Sequence, residues 1–260
     1  QILNLMSQFQ RIAIALSQVC DSLIDLTAFQ QHYLSRVLRL RVGDRFLVLD
    51  GLGHCWLTRL IQSPTGKGFA GEILEDFSLT TELPVDVTLI AALPKGNAFD
   101  DVVRQVTELG VNCIIPVISD RTLLKPSPQK LERWRRIALE ASEQSERVII
   151  PTIADPLSWR QCLETVTQGQ RFICEARGDF PHLLTVLDPP QPPLIRGEKD
   201  FPLFPSISIG IGPEGGWTEG EVKDAIESGF QAVSLGSRIF RAVTAPLVAL
   251  SLIAAKYESI

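Results

Sequence analysis

Two patterns of apolar residues divide the chain near residue 80. Over residues 9–80 they come in short β-like runs, Phe46-Leu47-Val48-Leu49-Asp50 and Cys55-Trp56-Leu57-Thr58-Arg59-Leu60. Gly51-Leu52-Gly53 separates these runs, and Ser63-Pro64-Thr65-Gly66-Lys67-Gly68 follows them. Short strands broken by frequent glycine and proline turns predict a small β-barrel. The first domain is accordingly placed at residues 1–80.

After Leu83-Pro84 the pattern becomes strand, helix, strand, and residues 84–260 read as a second, α/β domain. Val85 to Ala92 is a β-rich run. Asn97 is positioned to cap a helix whose Phe99, Val102, Val103, Val106 and Leu109 share one face, and Gly110 ends it. Val111 to Ile118 is the next strand. A helix is expected from Ser127-Pro128 to Glu146, with Leu131, Trp134, Ile137, Ala138 and Ala141 facing inward. Strands are expected near Val148–Ile150, Arg171–Glu175, Ser206–Ile211 and Ala232–Leu235. The spacing of Thr218 and Glu221 predicts a capping box on a helix that closes at Gly229. The final helix, Thr244 to Tyr257, is apolar almost all round and must be buried on most sides. Pro189-Pro190-Gln191-Pro192-Pro193 is too rich in proline for a helix or central strand, so residues 189–205 read as an exposed insertion loop.

Composition changes this picture little. With 45% hydrophobic and 21% charged residues the chain is an ordinary globular one. A formal net charge of −5 means that any nucleic-acid site must be a local basic patch. The five cysteines are scattered with no CxxC pair, which predicts reduced thiols and no metal site. No signal peptide or membrane span is expected, placing the protein in the cytoplasm. Met6, the single methionine, is a candidate natural start.

The candidate chemistry lies near the C-terminus. Gly210-Ile211-Gly212-Pro213-Glu214-Gly215 formally matches GxGxxG between a strand and a helix. A phosphate-binding loop must offer backbone N–H groups and positive potential. Pro213 removes a donor and Glu214 adds negative charge, so a dinucleotide or nucleoside triphosphate is disfavoured. A phosphate-free cation such as S-adenosylmethionine suits the loop better, and four glycines within Gly210–Gly216 exceed what a plain turn needs.

Two basic clusters are visible. His32, Arg36, Arg39, Arg41 and Arg45 fall within fourteen residues that hold one acid, Asp44, and Tyr33 adds a stacking surface. Leu38, Leu40 and Val42 alternate with the arginines and are expected to point inward. A second stripe, Arg133, Arg136, Glu140, Gln144 and Arg147, recurs along the Ser127–Glu146 helix. The first is either a solvated charged face or an RNA contact; the second is either a set of intrahelical pairs or a cleft wall that positions RNA.

The run IGIGPEGGWTEGEV (Ile209 to Val222), followed by SLGSRIFRAVTAPLVAL (Ser234 to Leu250), resembles the paired C-terminal motifs of the SPOUT superfamily of knotted methyltransferases. Together with HYLSRVLRLRVGD (His32 to Asp44) and EASEQSERVIIPTI (Glu140 to Ile153), it is most similar to the bacterial family that methylates N3 of a uridine in 16S ribosomal RNA. The resemblance implies a PUA-like N-terminal barrel that docks RNA and a C-terminal domain with a deep trefoil knot, an exception to the rule against threaded chains. It also implies a homodimer acting on the 30S subunit, with S-adenosylmethionine as cofactor and no metal.

Cofactor contacts are then expected from three loops: Cys174, Glu175 and Ala176; Gly210, Gly212, Pro213, Glu214, Gly215 and Gly216; and Leu235, Gly236, Ser237, Arg238 and Ile239. RNA contacts are expected from His32, Arg36, Arg39, Arg41, Arg133, Arg136, Gln144 and Arg147. The N3 proton must leave, so Arg238 and Arg241 are expected to stabilise the developing imidate, with Glu143 a candidate base. The family commonly carries Thr-Glu where this chain has Ala242-Val243. That departure keeps open a non-catalytic RNA-binding ribosome-assembly factor. A knotted methyltransferase acting on transfer RNA or a ribose 2′-OH is the other alternative.

Overall fold

A computed structural model describes residues 9–77, 81–122, 125–188 and 205–258. Met6 and the proline run 189–193 lie outside the described residues. By its internal contacts the chain forms two compact units, Gln1–Glu82 with Glu146–Ile150, and Leu83–Ser145 with Pro151–Ile260.

The first unit holds β1 (Arg11–Ala13), β2 (Val19–Cys20), β3 (Leu23–Asp25), α1 (Ala28–His32), a π-helical turn Tyr33–Val37, β4 (Arg45–Leu49), β5 (Cys55–Gln62) and β6 (Phe69–Phe77). One six-stranded sheet runs β1-β4-β5-β6-β3-β2. Only the β1–β4 pair is parallel. The unbroken apolar run of β4 is explained by burial on both faces. Phe46 and Val48 join a core with Ile12, Ile24, Leu34 and Leu60, while Leu47 and Leu49 pack with Leu57 and Val148.

The second unit holds β7 (Asp86–Ala92), α2 (Phe99–Glu108), β8 (Cys113–Ile118), α3 (Pro128–Gln144), β9 (Thr152–Ile153), β10 (Leu157–Ser158), α4 (Trp159–Thr165), β11 (Gln170–Cys174), α5 (Leu183–Val186), β12 (Ser206–Ile211), α6 (Glu219–Glu227), β13 (Gln231–Val233) and α7 (Ala245–Glu258). Its sheet runs β10-β8-β7-β12-β11-β13, with β9 beside β8, and every pair is parallel. Successive side chains of a strand serve opposite faces. Leu89 and Ala91 pack with α2, α3 and α7, whereas Ile90 and Ala92 pack with Trp159 and Cys162 of α4 and Ala225 of α6. This is an α/β unit with helices on both faces of a parallel sheet.

Several sequence expectations need correction. No strand forms at Val148–Ile150; Ile149 makes one antiparallel bridge to Leu52, and the strand begins later, at Thr152. The α3 helix stops at Gln144 because Glu146 adopts a left-handed backbone, φ 63°. Arg147 therefore leaves the helix and its exposed stripe. It is buried in the first unit, where Glu82 accepts from its Nη2 at 2.6 Å and its Nε at 3.0 Å. Arg147 is not available to RNA. Asn97 does not cap α2 with its side chain; the N-cap is Ala98. Residues Leu38 to Val42 form no strand. Arg39 has φ 59°, and Val42 is exposed rather than inward, although Leu38 and Leu40 do pack on the core.

All five cysteines are free thiols. Burial pushes the Cys55 thiol up to about 11 and the Cys162 thiol up to about 12, with Arg11 opposing the rise at Cys55 and Cys113 adding to it at Cys162. Burial and then the Glu175 charge also raise Cys174. The thiolate is the reactive form, so a raised value means less of it at any pH below that value. At pH 8, iodoacetamide is expected to label exposed Cys20 and to spare Cys55, Cys162 and Cys174 until denaturant is added. Peptide mass mapping checks this, and labelling of Cys55 in the folded protein counts against it.

Candidate active site

In an open parallel sheet, ligands bind beyond the carboxyl ends of the strands. Here registry brings three such ends together, since Cys174 of β11 lies beside Ile211 of β12 and Val233 of β13. The loops leaving these strands line a cavity of ≈ 140 Å³ in the second unit.

The first of these loops carries Glu175, whose Oε1 accepts from the Arg177 backbone N–H at 2.9 Å. In the second, Pro213 to Gly216 closes as a turn, with the Gly216 N–H donating to the Pro213 carbonyl at 2.8 Å. Gly216 is left-handed at φ 71°, which a side chain would strain. Glu214 Oε1 accepts from the Lys95 N–H at 2.9 Å, so its carboxylate stays at the rim. Arg121 Nη1 donates to the carbonyls of Gly215 at 2.6 Å and Trp217 at 3.2 Å, clamping the loop from beside it. The capping box expected at Thr218 is present. Glu221 Oε2 accepts from the Thr218 N–H, and its Oε1 accepts from the Asp120 N–H, tying α6 to the segment after β8.

The third loop turns at Gly236, φ 123°, and Ser234 Oγ accepts from the Gly236 N–H at 3.0 Å. Beyond it the Arg238 guanidinium lies over the Phe240 ring, 5.8 Å from its centre. Trp217 is buried at the cavity wall, its ring 4.4 Å from that of Trp159, and its Nε1 donates to no acceptor among the described residues.

Of the residues expected to hold a cofactor, the cavity brings together Cys174, Glu175, Gly212, Pro213, Glu214, Gly215, Gly216, Leu235, Gly236, Arg238 and Ile239, with Ala176 beside them. Gly210 is inside β12, paired with Ile173 and Ile90, and does not line the cavity. Ser237 and Arg241 are exposed and do not line it either. Glu143 and Gln144 are exposed at the end of α3, apart from the lining. Arg121, Arg177, Trp217 and Phe240 line it without having been anticipated. Their positions follow from strand registry, which local spacing does not encode.

The basic residues divide differently. His32, Arg36, Arg39 and Arg41 are exposed, and among the described residues none of them forms a salt bridge. Arg133 is tied to Asp100 at 2.8 Å, and Arg136 pairs loosely with Glu140 at 3.7 Å. The described residues contain no group of histidine, cysteine and carboxylate side chains able to hold a metal, and no helix long and apolar enough to cross a membrane.

An RNA methyltransferase domain model matches residues 81–254, and an RNA methyltransferase PUA domain model matches residues 26–74. The chain belongs to the RNA methyltransferase family. Among its relatives is the ribosomal RNA small subunit methyltransferase E of Synechocystis, 45% identical over 96% of this chain and 78% of that protein. The Bacillus subtilis protein of the same name is 30% identical, over 90% of each chain. A crystal structure of the Neisseria gonorrhoeae enzyme of that name, bound to S-adenosyl methionine, superposes with a TM-score of 0.78 at 30% identity, covering 94% of this chain and 96% of that one. Both the family and the PUA-like character of the first unit agree with the resemblance drawn from the sequence motifs.

Proposed function

We propose that this chain transfers a methyl group from S-adenosylmethionine to N3 of a specific uridine in 16S ribosomal RNA of the small subunit, in the cytoplasm. The observation that carries the reading is the three-loop cavity at the strand ends, in a chain related over nearly its whole length to a protein crystallised with that cofactor. The donor set fits. Glycine backbone and apolar walls from Ile211, Leu235 and Phe240 suit an adenine, Glu175 and Glu214 suit a cation, and the unpartnered Trp217 Nε1 offers a donor. Both carboxylates also supply negative charge to a cavity whose wall at position 242 is alanine.

When bound, the cofactor supplies an electrophilic methyl group on a sulfonium. The chain's own part is to hold the base in line, to withdraw the N3 proton and to offset charge on the uracil. Arg238 at the cavity and Arg241 beyond it are proposed for charge stabilisation. The reading includes a deep trefoil knot in residues 84–260 and a homodimer. The half-buried Leu247, Val248 and Leu252 of α7 support a second copy packing there.

Calorimetry with S-adenosylmethionine, followed by methyl transfer to 16S RNA and to 30S particles, tests the proposal. Nucleoside mass spectrometry should find 3-methyluridine, and absence of cofactor binding at saturating concentration would overturn it. The first unit is proposed to dock the RNA through His32, Arg36, Arg39 and Arg41. Reversing two charges, Arg39→Glu with Arg41→Glu, should weaken RNA binding and lower the slope of log affinity against log salt by about one per arginine. Cofactor affinity should not move; an unaltered slope counts against the docking surface.

A further inference from the structure

Phe29 is 78% exposed on α1, where a polar residue would serve the fold equally well. Its ring lies parallel to that of Tyr33, at an interplanar angle of 9° with centres 6.4 Å apart. The four-residue spacing puts both rings on one side of the turn. The intervening glutamines prevent that side from turning inward. Gln30 Nε2 donates to the Ala13 carbonyl, and Gln31 Nε2 donates to the Leu26 carbonyl while its Oε1 accepts from the Phe69 N–H. Thr27 caps the helix and Leu34, directly after Tyr33, is fully buried. Phe29 is thus the outward-facing ring, stacked on Tyr33, which is itself half-buried against the core.

Arg36, Arg39 and Arg41 follow Tyr33 closely in the chain, exposed and outside any salt bridge among the described residues. The one acid of the segment, Asp44, is engaged through Oδ2 by the Arg41 backbone N–H at 2.7 Å. An exposed ring stacked on a second one, in a segment whose guanidiniums are outside any salt bridge among the described residues, complements a chain that alternates flat π-faces with phosphates. That description fits unpaired RNA and not duplex, whose base faces are already stacked.

We propose that Phe29 and Tyr33 form a stacking platform for unpaired bases of the RNA substrate, with Arg36, Arg39 and Arg41 neutralising the adjoining phosphates. This rests on the RNA-methyltransferase reading above and specifies that its docking unit grips single-stranded nucleotides. The test measures binding of the full-length protein to a single-stranded oligouridine and to an RNA duplex of equal length. Phe29→Ala should weaken oligouridine binding on the order of tenfold and leave the salt slope intact, because stacking releases no counterions. Phe29→Trp should restore the affinity. Duplex binding and the melting temperature should not change.

If Phe29→Ala binds oligouridine as the parent does, the proposal is overturned and the ring is left as a protein-docking surface. A fall in the salt slope, or equal losses on duplex and single strand, overturns it too. Failure of the parent protein to methylate 16S RNA would reject the functional reading instead, and the oligouridine comparison would still report on the platform.

Discussion

Replacing Glu82 by alanine is expected to remove about 3–5 kcal/mol of unfolding free energy, the usual cost of breaking a buried ion pair by removing one partner. The side chain of Arg147 is 2% exposed and that of Glu82 15%. The Glu82 carboxylate accepts four bonds: two from the Arg147 guanidinium, and one each from the Val148 and Ile149 N–H groups at 3.0 and 3.1 Å. Alanine leaves a guanidinium and two amides with a lost acceptor where water enters poorly. The exposed Arg59–Glu72 pair is the internal comparison. Its side chains are 45% and 34% exposed, so Glu72→Ala should cost at most about 1 kcal/mol. Urea unfolding followed by circular dichroism separates the two, and a loss below about 1 kcal/mol for Glu82→Ala refutes the assignment. Changing both partners to apolar residues, Glu82→Leu with Arg147→Met, should recover much of the loss.

The same residues show where local reading of the sequence stops. In the sequence the second basic stripe runs on through Arg147, since nothing at Ser145 or Glu146 breaks a helix by residue type. There is no glycine or proline, yet Glu146 turns left-handed. The compensating contacts are tertiary. Glu146 reaches Arg11 at 2.8 Å, and Arg147 reaches Glu82, 65 positions earlier in the chain. Spacing arguments assume that a helix continues, and long-range pairing decided otherwise.

Where local and tertiary preferences agree, the sequence was legible. Ser127 caps α3 with proline behind it, Thr218 and Glu221 form their capping box, and Trp134, Ile137, Ala138 and Ala141 are buried in α3 as expected, with Ser142 beside them. The cavity was legible in part. Glycine-dense loops announced a close backbone approach, and three separate segments converge as their common motif implied. Arg121 was invisible because it acts from the segment after β8, 94 positions before Gly215, through carbonyls of Gly215 and Trp217. Phe29 was invisible for the opposite reason. An apolar residue on a short helix is assigned to the core by default, and only its surroundings reveal that it faces outward.

Gly212→Val is expected to weaken S-adenosylmethionine binding about tenfold to a hundredfold, equivalent to the 1–3 kcal/mol that overpacking usually costs. The constraint at Gly212 is space. A Cβ there would stand 3.2 Å from both the backbone N and the Nε1 of Trp217, and 3.3 Å from its Cδ1. The indole has little room to retreat. It is backed by Trp159, whose own Nε1 donates to the Glu221 carbonyl at 3.0 Å, while Arg121 holds the Trp217 carbonyl. The branched valine must therefore displace the Gly212–Trp217 loop or push the indole into the cavity that both residues line. Gly212→Ala, with one carbon to place, should lose less than valine. Gly220→Ala is the control, because a Cβ at that helical position meets only Thr218 Oγ1 at 3.9 Å. It should leave affinity unchanged and add stability of up to about 1 kcal/mol. Calorimetric titration gives the affinities, and near-ultraviolet circular dichroism reports the Trp217–Trp159 pair. Full affinity in Gly212→Val would remove this loop from the cofactor site, whereas a graded loss from alanine to valine, with the indole signal shifting in step, places Gly212 against the bound cofactor.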